Sequence, residues 1–237
     1  MTTIEWPSGV LKPGSIAING APRTGSGGAS LSGRGQVVAS GAGLWTMTMQ
    51  RIPAHNRTTV LCWRAIAGLL EGRLNAIHVP FFDYERAYQP VSDADLVDPD
   101  YLRPASVPHA DGSYFSDGGG YLTSYMDVTA SASAALRATT LTATVTYAPS
   151  LQAGQHFSID HTTKEHRLYR IKSVTDNEDG TSTLTFWPPL REAVAADERL
   201  EFDRPKCRMR LADDQGMDLG LQAGSFGFPD VTFIEDL

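Results

Sequence analysis

The stretch TDNEDGTSTLTFWPPLREA, residues 175–193, decides the fold class of this chain. Residues 181–187 alternate polar and apolar side chains, which is the period of a strand with one buried face. The Asp-Gly pair at 179–180 is typical of the tight turn of a β-hairpin. Pro188 has no backbone N–H to donate, so regular strand pairing is expected to stop at Trp187. The stretch therefore predicts a hairpin whose second strand ends on an aromatic residue.

Similar short strands surround this hairpin. Residues 141–147 set apolar residues against threonines, residues 166–174 form the first arm of the hairpin, and 198–202 close the set. With 151–160 this makes five strands in about 65 residues, which is typical of a small all-β unit. We therefore predict an inserted peripheral β module, a small barrel or sandwich, at 138–202.

The N-terminal part predicts strands and one helix. Residues 14–19 are strand-like, and the glycine- and serine-rich residues 20–35 are expected to form a loop. The sequence SGAG at 40–43 indicates the turn of a second hairpin. In its second arm Trp45, Met47 and Met49 share one face.

The predicted helix spans residues 58–71. Its apolar residues recur at spacings of three and four, which places them on one face: Val60, Trp63, Ala67 and Leu70, widened by Ile66 and Leu69. Gly72 is a suitable residue to end the helix. Residues 75–82 are then expected to enter the core as a strand.

The C-terminal residues 206–237 return to strand patterns. Cys207, Met209 and Leu211 alternate with three basic residues, and further strands are expected around 219–221 and 226–233. These strands need partners from the N-terminal part. We therefore predict a β-sandwich domain built from 1–82 and 203–237, with the helix packed on it. Residues 83–137 are predicted to be a long loop or arm.

Composition excludes several classes of protein. The chain has a net charge of −7, which disfavours nucleic-acid and anionic-membrane binding. It has no apolar stretch of about 18 residues that would span a membrane, and MTTIEWPSGV is not a secretory signal. The only cysteines, Cys62 and Cys207, are interpreted as buried free thiols.

No pattern in the chain predicts a catalytic, cofactor or metal site. His156, His161 and His166 lie on strands and turns rather than at metal-ligand spacing on a helix. The four aspartates between 93 and 100 lack the spacing of a calcium loop. Neither glycine-rich stretch joins a strand to a helix, and no GxSxG occurs. We expect no enzyme, although carboxylates leave a glycosidase open.

Aromatic residues concentrate in the predicted arm. Tyrosines on polar loops anchor protein interfaces or stack on sugars, and they also pack loops onto their own domain. Including one basic residue of the glycine-rich loop and the aromatic end of the hairpin, the candidate interface residues are Arg34, Tyr84, Tyr88, Tyr101, Tyr114, Phe115 and Trp187.

Three groups of stretches resemble the distal tail proteins of siphophages. LWTMTMQRIP and CWRAIAGLLEGRLNAIHVP are similar to the N-terminal domain of that family. LQAGQHFSID, RLYRIKSV and GTSTLTFWPPLRE resemble a module inserted in many such proteins from phages of proteobacteria. CRMRLADDQGMDLGLQAGSFGFPDVTFIED is similar to the closing strands. The resemblance covers about 35–82 and 138–237.

The resemblance implies a structural protein of the virion, made in the bacterial host cytoplasm. Distal tail proteins usually form a hexameric ring that joins the tail tube protein to the tail-tip hub protein, and DNA passes through the lumen without specific binding. The first domain forms the ring and the second lies outside it. The alternatives are another tail-tube or baseplate protein, and a carbohydrate-binding module that contacts the host surface.

Overall fold

The computed structural model describes residues 4–29, 33, 35–81, 113, 126–148, 150–202, 204–222, 224 and 226–237. The predicted mainly β class with one helix is confirmed. In chain order the elements are β1 Ile4–Glu5, β2 Ser15–Ala29, β3 Gly35–Gln50, α1 Arg57–Leu70, β4 Ile77–Pro80, β5 Asp127–Ala130, β6 Thr140–Tyr147, β7 His156–His161, β8 Glu165–Asp176, β9 Thr181–Trp187, β10 Lys206–Leu211 and β11 Val231–Glu235.

The chain divides into two compact units. Unit 1 comprises residues 1–80 and 207–237, and unit 2 comprises residues 81–206. The predicted arm at 83–137 differs from the structure at its C-terminal end, because Asp127–Ala130 forms β5 and pairs with β6. The alternation of apolar and polar residues in β5 is short and adjoins alanines and serines, so the sequence pattern did not indicate a strand there. Residues 82–112 and 114–125 lie outside the described residues.

Unit 1 is built on a six-stranded sheet with the order β1-β4-β10-β11-β3-β2. The chain's C-terminal strand β11 pairs antiparallel with both β10 and β3, which brings the ends of the chain together in one sheet. Alternation along the strands directs one set of side chains inward, including Trp45, Met47 and Met49 as predicted. Val231 and Phe233 of β11 extend this buried face.

Helix α1 covers the apolar face of this sheet. Trp63 packs edge-on against Trp6 at 6.4 Å between ring centroids, and Trp6 in turn contacts Phe233 of β11 at 5.6 Å. The indole N–H of Trp63 donates to the Met217 carbonyl at 2.8 Å, so burial leaves no polar group of this ring unsatisfied. The predicted helix is confirmed with bounds shifted by one residue, although Leu69 is 54% exposed rather than part of the core.

Two predictions for the N-terminal part were wrong. Of the glycine-rich residues 20–35, those at 20–29 lie in β2 and Gly35 begins β3, and SGAG at 40–43 is no turn but the middle of β3. β2 and β3 instead pair with each other over nearly their whole lengths. The glycines and serines misled because strand pairing of the backbone needs no large side chain. The predicted strand at 219–221 is also absent from the described residues, and the pairing that follows it is an isolated bridge between Gln222 and Phe226.

Unit 2 is a five-stranded antiparallel sheet, β5-β6-β9-β8-β7, that curls until both edges meet one segment. Residues 198–202 supply that segment, through isolated bridges to β5 and β7 rather than as the predicted strand. Leu200 donates its backbone N–H to Val128 of β5 at 2.9 Å, and Glu201 exchanges two backbone hydrogen bonds with Ser158 of β7 at 2.9 Å. Both edges of the sheet are therefore paired.

The core of unit 2 is aromatic. Phe157 stacks on Tyr169 and Phe202 and meets Phe186 edge-on, with centroid distances of 5.3–5.7 Å. The predicted hairpin between β8 and β9 is confirmed, and β9 ends at Trp187 where Pro188 begins. Both cysteines are free, as predicted, but only Cys207 is fully buried, whereas Cys62 is half-buried.

Candidate interaction surface

A long β-ribbon extends from the sheet of unit 1. Beyond the part of the sheet shared with β11, residues 23–29 of β2 pair only with residues 35–40 of β3. Val37 and Val38 point to opposite faces of the ribbon, yet both are exposed, at 67% and 60%. At these positions, neither face of the ribbon therefore packs against the rest of unit 1. A two-stranded ribbon alone is marginally stable, so such an extension favours contact with another chain.

Strand β2 is the edge of the six-stranded sheet. The register with β3 shifts between Ala21 and Arg23, where Pro22 interrupts the strand. A bulge and a proline are devices that protect sheet edges from pairing. The section from Ser15 to Ala21 has neither, and its described side chains carry no charge. This section is a long, flat edge of the kind that accepts a strand from another chain.

Two exposed phenylalanines lie at the opposite end of β3. Gly227 exchanges backbone hydrogen bonds with Ala54 at 2.9 and 3.0 Å, and Phe226 and Phe228 flank it. Their rings are 6.4 Å apart and are 41% and 52% exposed. A side chain at position 227 would collide with the Gly220 carbonyl oxygen. The backbone therefore holds the two phenylalanines in place with their rings in solvent. The sequence pattern predicted a strand for these residues.

The face of the sheet opposite the helix carries a charged cluster. Arg208 and Arg210 of β10 donate from their Nε atoms to the two carboxylate oxygens of Asp236, at 3.0 and 2.6 Å. Burial opposes the ionisation of Asp236, but the hydrogen bonds from Arg210 and Arg208 outweigh it and lower the pKa of this carboxyl. Arg210 also donates to the carbonyls of Arg73 and Leu74. This cluster ties the end of the chain to β10.

Unit 2 contains a buried polar network. The Nε2 atom of His161 lies 2.8 Å from the hydroxyl of Tyr169, which accepts the backbone N–H of Arg191 at 3.1 Å. Burial is the largest cause that lowers the pKa of His161 to about 4, so its ring is neutral near pH 7. The neighbouring Glu192 carboxylate accepts three hydrogen bonds from Thr163 and Lys164. These bonds fix the loop between β7 and β8 onto the segment that follows β9.

The three histidines of unit 2 have separate environments. His156 stacks on Phe81 at 4.2 Å, His161 contacts Tyr169, and the ring of His166 lies 3.7 Å from the Asp160 carboxylate. Across the described ranges, no group of three or more His, Cys, Asp or Glu side chains is arranged to hold a metal ion. The four aspartates between 93 and 100, whose spacing does not match a calcium loop, lie outside those ranges.

The predicted interface residues are not brought together by the described structure. Trp187 is half-buried at the end of β9, where it is paired in register with Arg170. The remaining candidates, Arg34, Tyr84, Tyr88, Tyr101, Tyr114 and Phe115, lie outside the described residues. Sequence reasoning missed the Phe226–Phe228 pair, for which the alternation of glycine and phenylalanine in GSFGFP was the available signal.

No protein-family model matches the chain, and no curated protein matches it significantly. Within the described part of the chain, α1 is too short and too polar to cross a membrane.

Proposed function

We propose that this chain is a non-enzymatic structural subunit of a siphophage tail tip, a distal tail protein. In this proposal copies associate side by side into a ring, with six subunits as the expected number. The ring joins the tail tube protein to the tail-tip hub protein, and DNA passes through its centre without specific binding. The similarity of the quoted stretches to distal tail proteins supports the family, and the architecture of unit 1 supports the ring.

The observation that carries the proposal is the edge strand β2 of unit 1, which pairs with β3 and with no further strand of the described residues. The section Ser15–Ala21 of β2 ends the sheet on one side, and the two-residue strand β1 ends it on the other. A ring of identical subunits requires two different surfaces that meet head to tail. A sheet with two unlike edges provides such a pair, because the β2 edge of one copy can extend the sheet of the next. Pairing also removes the aggregation hazard of a long edge.

The ribbon supports the same arrangement. Its outer part, residues 23–29 and 35–40, has few large side chains and no core of its own. A neighbouring subunit that packs on Val37 and Val38 would bury the two most exposed large apolar side chains of this part. Burial of apolar surface contributes about 25 cal/mol per Å², so a subunit contact here stabilises both the ribbon and the ring.

The test is the oligomeric state of the purified chain. We expect mass photometry to give a hexamer, and negative-stain images to show six-fold rings with an open centre. A monomer at micromolar concentration would contradict the proposal. The edge is tested by a double substitution, Ala17→Lys and Asn19→Lys, at two exposed positions of the β2 section. Charges on an edge strand prevent pairing, so we expect the rings to be lost.

A matched control separates edge pairing from a general effect of added charge. Thr162→Lys and Ser173→Lys place the same two charges at exposed positions of unit 2. Surface substitutions of this kind change folding stability by only about 0.5 kcal/mol, so both double variants should stay folded. Rings that persist in the Ala17→Lys, Asn19→Lys variant would show that the β2 edge is not the subunit contact.

A further inference from the structure

Charge is strongly segregated along the sequence. The whole chain has 20 Lys or Arg and 27 Asp or Glu residues, yet residues 6–70 contain no Asp or Glu at all. The same stretch contains six basic residues: Lys12, Arg23, Arg34, Arg51, Arg57 and Arg64. This part of unit 1 therefore carries a local positive charge in a chain of net charge −7. Such a patch selects partners of opposite charge.

The fold gathers three of these basic residues at one end of unit 1. Gly14 donates its backbone N–H to Gln50 at 3.0 Å, which places Lys12, just before β2, beside the end of β3. Arg51 follows β3 directly, and Arg57 stands in the first turn of α1. All three basic side chains are exposed. They are the charged part of a surface that we call the cationic end.

The apolar part of the cationic end is the pair Phe226 and Phe228. Ile52 donates to the Pro229 carbonyl at 3.1 Å, so the segment with the phenylalanines runs beside residues 51–54. Neighbouring strands are about 4.8 Å apart, which keeps the two rings within reach of a ligand that also meets Arg51. An exposed aromatic pair rimmed by arginine has the composition of a protein interface.

The described residues form no ion pair with Lys12, Arg51 or Arg57. Asp230 accepts the backbone N–H of Arg51 at 2.7 Å. The first turn of α1 has no acidic residue, although the partial positive charge of a helix N-terminus favours one there. Arg57 adds a like charge at that position. The cationic end is thus suited to an acidic partner that also offers apolar or aromatic side chains.

We propose that the cationic end of one copy binds the acidic segment 83–117 of a second copy. This inference rests on the proposed ring, in which copies lie side by side, and it adds a second contact to the one at the β2 edge. The segment contains eight Asp or Glu and two Arg residues. Its net charge of −6 (two minus eight) is opposite in sign to the three positive charges of the cationic end. Four tyrosines and Phe115 in the same segment provide partners for Phe226 and Phe228.

The direct test is cross-linking between differently labelled copies. A photoreactive phenylalanine analogue replaces Phe228, an exposed aromatic position, in the full chain. This variant is mixed with unmodified chain that is fully labelled with ¹⁵N, and cross-linked peptides are identified by mass spectrometry. We expect ¹⁵N-labelled peptides from 83–117 attached to position 228. Cross-links to the same copy, to another part of the chain, or to no labelled peptide would overturn the proposal.

Charge reversal tests the electrostatic part. Arg51→Glu with Arg57→Glu should weaken self-association by about tenfold or more, because attraction becomes repulsion. The melting temperature should stay equal or rise, since a carboxylate is favourable in the first turn of a helix. This opposite response excludes unfolding as the cause of weaker association. The control pair Lys164→Glu and Lys172→Glu, at exposed positions of unit 2, should leave association unchanged.

Compensation provides the final check. Replacing Asp93, Asp95 and Asp98 by lysine in a second copy should restore association with the Arg51→Glu, Arg57→Glu variant. Failure of this rescue, or equal losses in the reversed and control pairs, would overturn the inference. The ring proposal fails separately: copies that cross-link at position 228 without six-fold rings would keep the contact and remove the ring. Rings that form without this cross-link would keep the ring proposal and remove the contact.

Discussion

The two units of this chain differ in how the edges of their β-sheets are paired. Unit 2 brings both edges of its sheet onto residues 198–202, so β5 and β7 each find a partner within the chain. In unit 1 the sheet stays open, and β2 forms its edge over 15 residues. A closed sheet leaves no edge for pairing, whereas an open edge of this length can accept a strand from another chain.

The difference also appears in how each core is covered. Unit 2 buries four aromatic rings against each other inside its curled sheet. Unit 1 depends on one helix, and the ring of Trp63 on that helix connects through Trp6 to Phe233 of the sheet. We therefore expect perturbations of α1 to affect unit 1 alone, and perturbations of the buried histidine network to affect unit 2 alone.

The largest expected effect is that of Trp63→Ala. The side chain is fully buried and donates a hydrogen bond to the Met217 carbonyl, so its removal leaves a cavity and an unpaired acceptor. Loss of a buried tryptophan destabilises a domain by about 3–5 kcal/mol. Hydrogen exchange followed by mass spectrometry should show faster exchange across unit 1, with protection in unit 2 unchanged.

The control for this prediction is Leu69→Ala on the same helix. Leu69 is 54% exposed, so this substitution should change the stability of unit 1 by less than about 1 kcal/mol. Equal effects of the two substitutions would mean that Trp63 does not hold α1 on the sheet. Faster exchange in unit 2 after Trp63→Ala would show that the two units do not unfold separately.

Sequence patterns predicted unit 2 better than unit 1, for a physical reason. The strands of unit 2 alternate large apolar and polar residues, because each has one face in an aromatic core. The ribbon residues 23–29 and 35–40 lack that alternation, and Val37 and Val38 are exposed on opposite faces of the ribbon. β2 and β3 pair through their backbones, in a register that joins residues far apart in the sequence. Periodicity within a short window of sequence does not reveal that register.

The candidate surface was less predictable than the fold. The absence of carboxylates between residues 6 and 70 is readable from the sequence alone. What the sequence does not contain is that Lys12, Arg51 and Arg57 meet at one end of a sheet next to Phe226 and Phe228, because this depends on pairing across nearly the whole chain. The exposure of the two phenylalanines follows from the close approach of Gly227 to Gly220, which is also a tertiary feature.

Acid should affect unit 2 next most strongly. Burial lowers the pKa of His161 to about 4, whereas an unfolded histidine has a pKa of about 6.5. Below pH 6.5 the unfolded chain therefore binds a proton that the folded unit does not. Stability is fully present above pH 6.5 and is lost as the pH falls towards 4, by roughly 2 kcal/mol at pH 5. Burial, followed by the charge of Arg170, also lowers the pKa of His156 to about 4, which adds to the loss.

This pH dependence is measured by urea denaturation of the whole chain at pH 7 and pH 5. We expect His161→Gln to be less stable than the original at pH 7, because the contact with Tyr169 changes, but to lose less on acidification. His55→Gln, at an exposed position of unit 1, should leave the acid response unaltered. An acid loss that is the same in His161→Gln and in the original chain would contradict a buried neutral His161.

The smallest expected effect concerns the start of α1. It tests how strongly the stability of unit 1 depends on this helix. The side chain of Asn56 accepts the backbone N–H of Thr59 at 2.8 Å, and the Thr59 hydroxyl accepts the backbone N–H of Asn56 at 3.3 Å. Asn56→Ala removes the first of these bonds and should cost about 1 kcal/mol. Asn56→Ser keeps a capping oxygen and should cost much less. Hydrogen exchange at residues 57–60 separates the two outcomes. Because α1 packs on the apolar face of the sheet through Trp63 and Trp6, weaker capping should also increase exchange in β11. Equal exchange in both variants would mean that packing, rather than the cap, fixes the helix start.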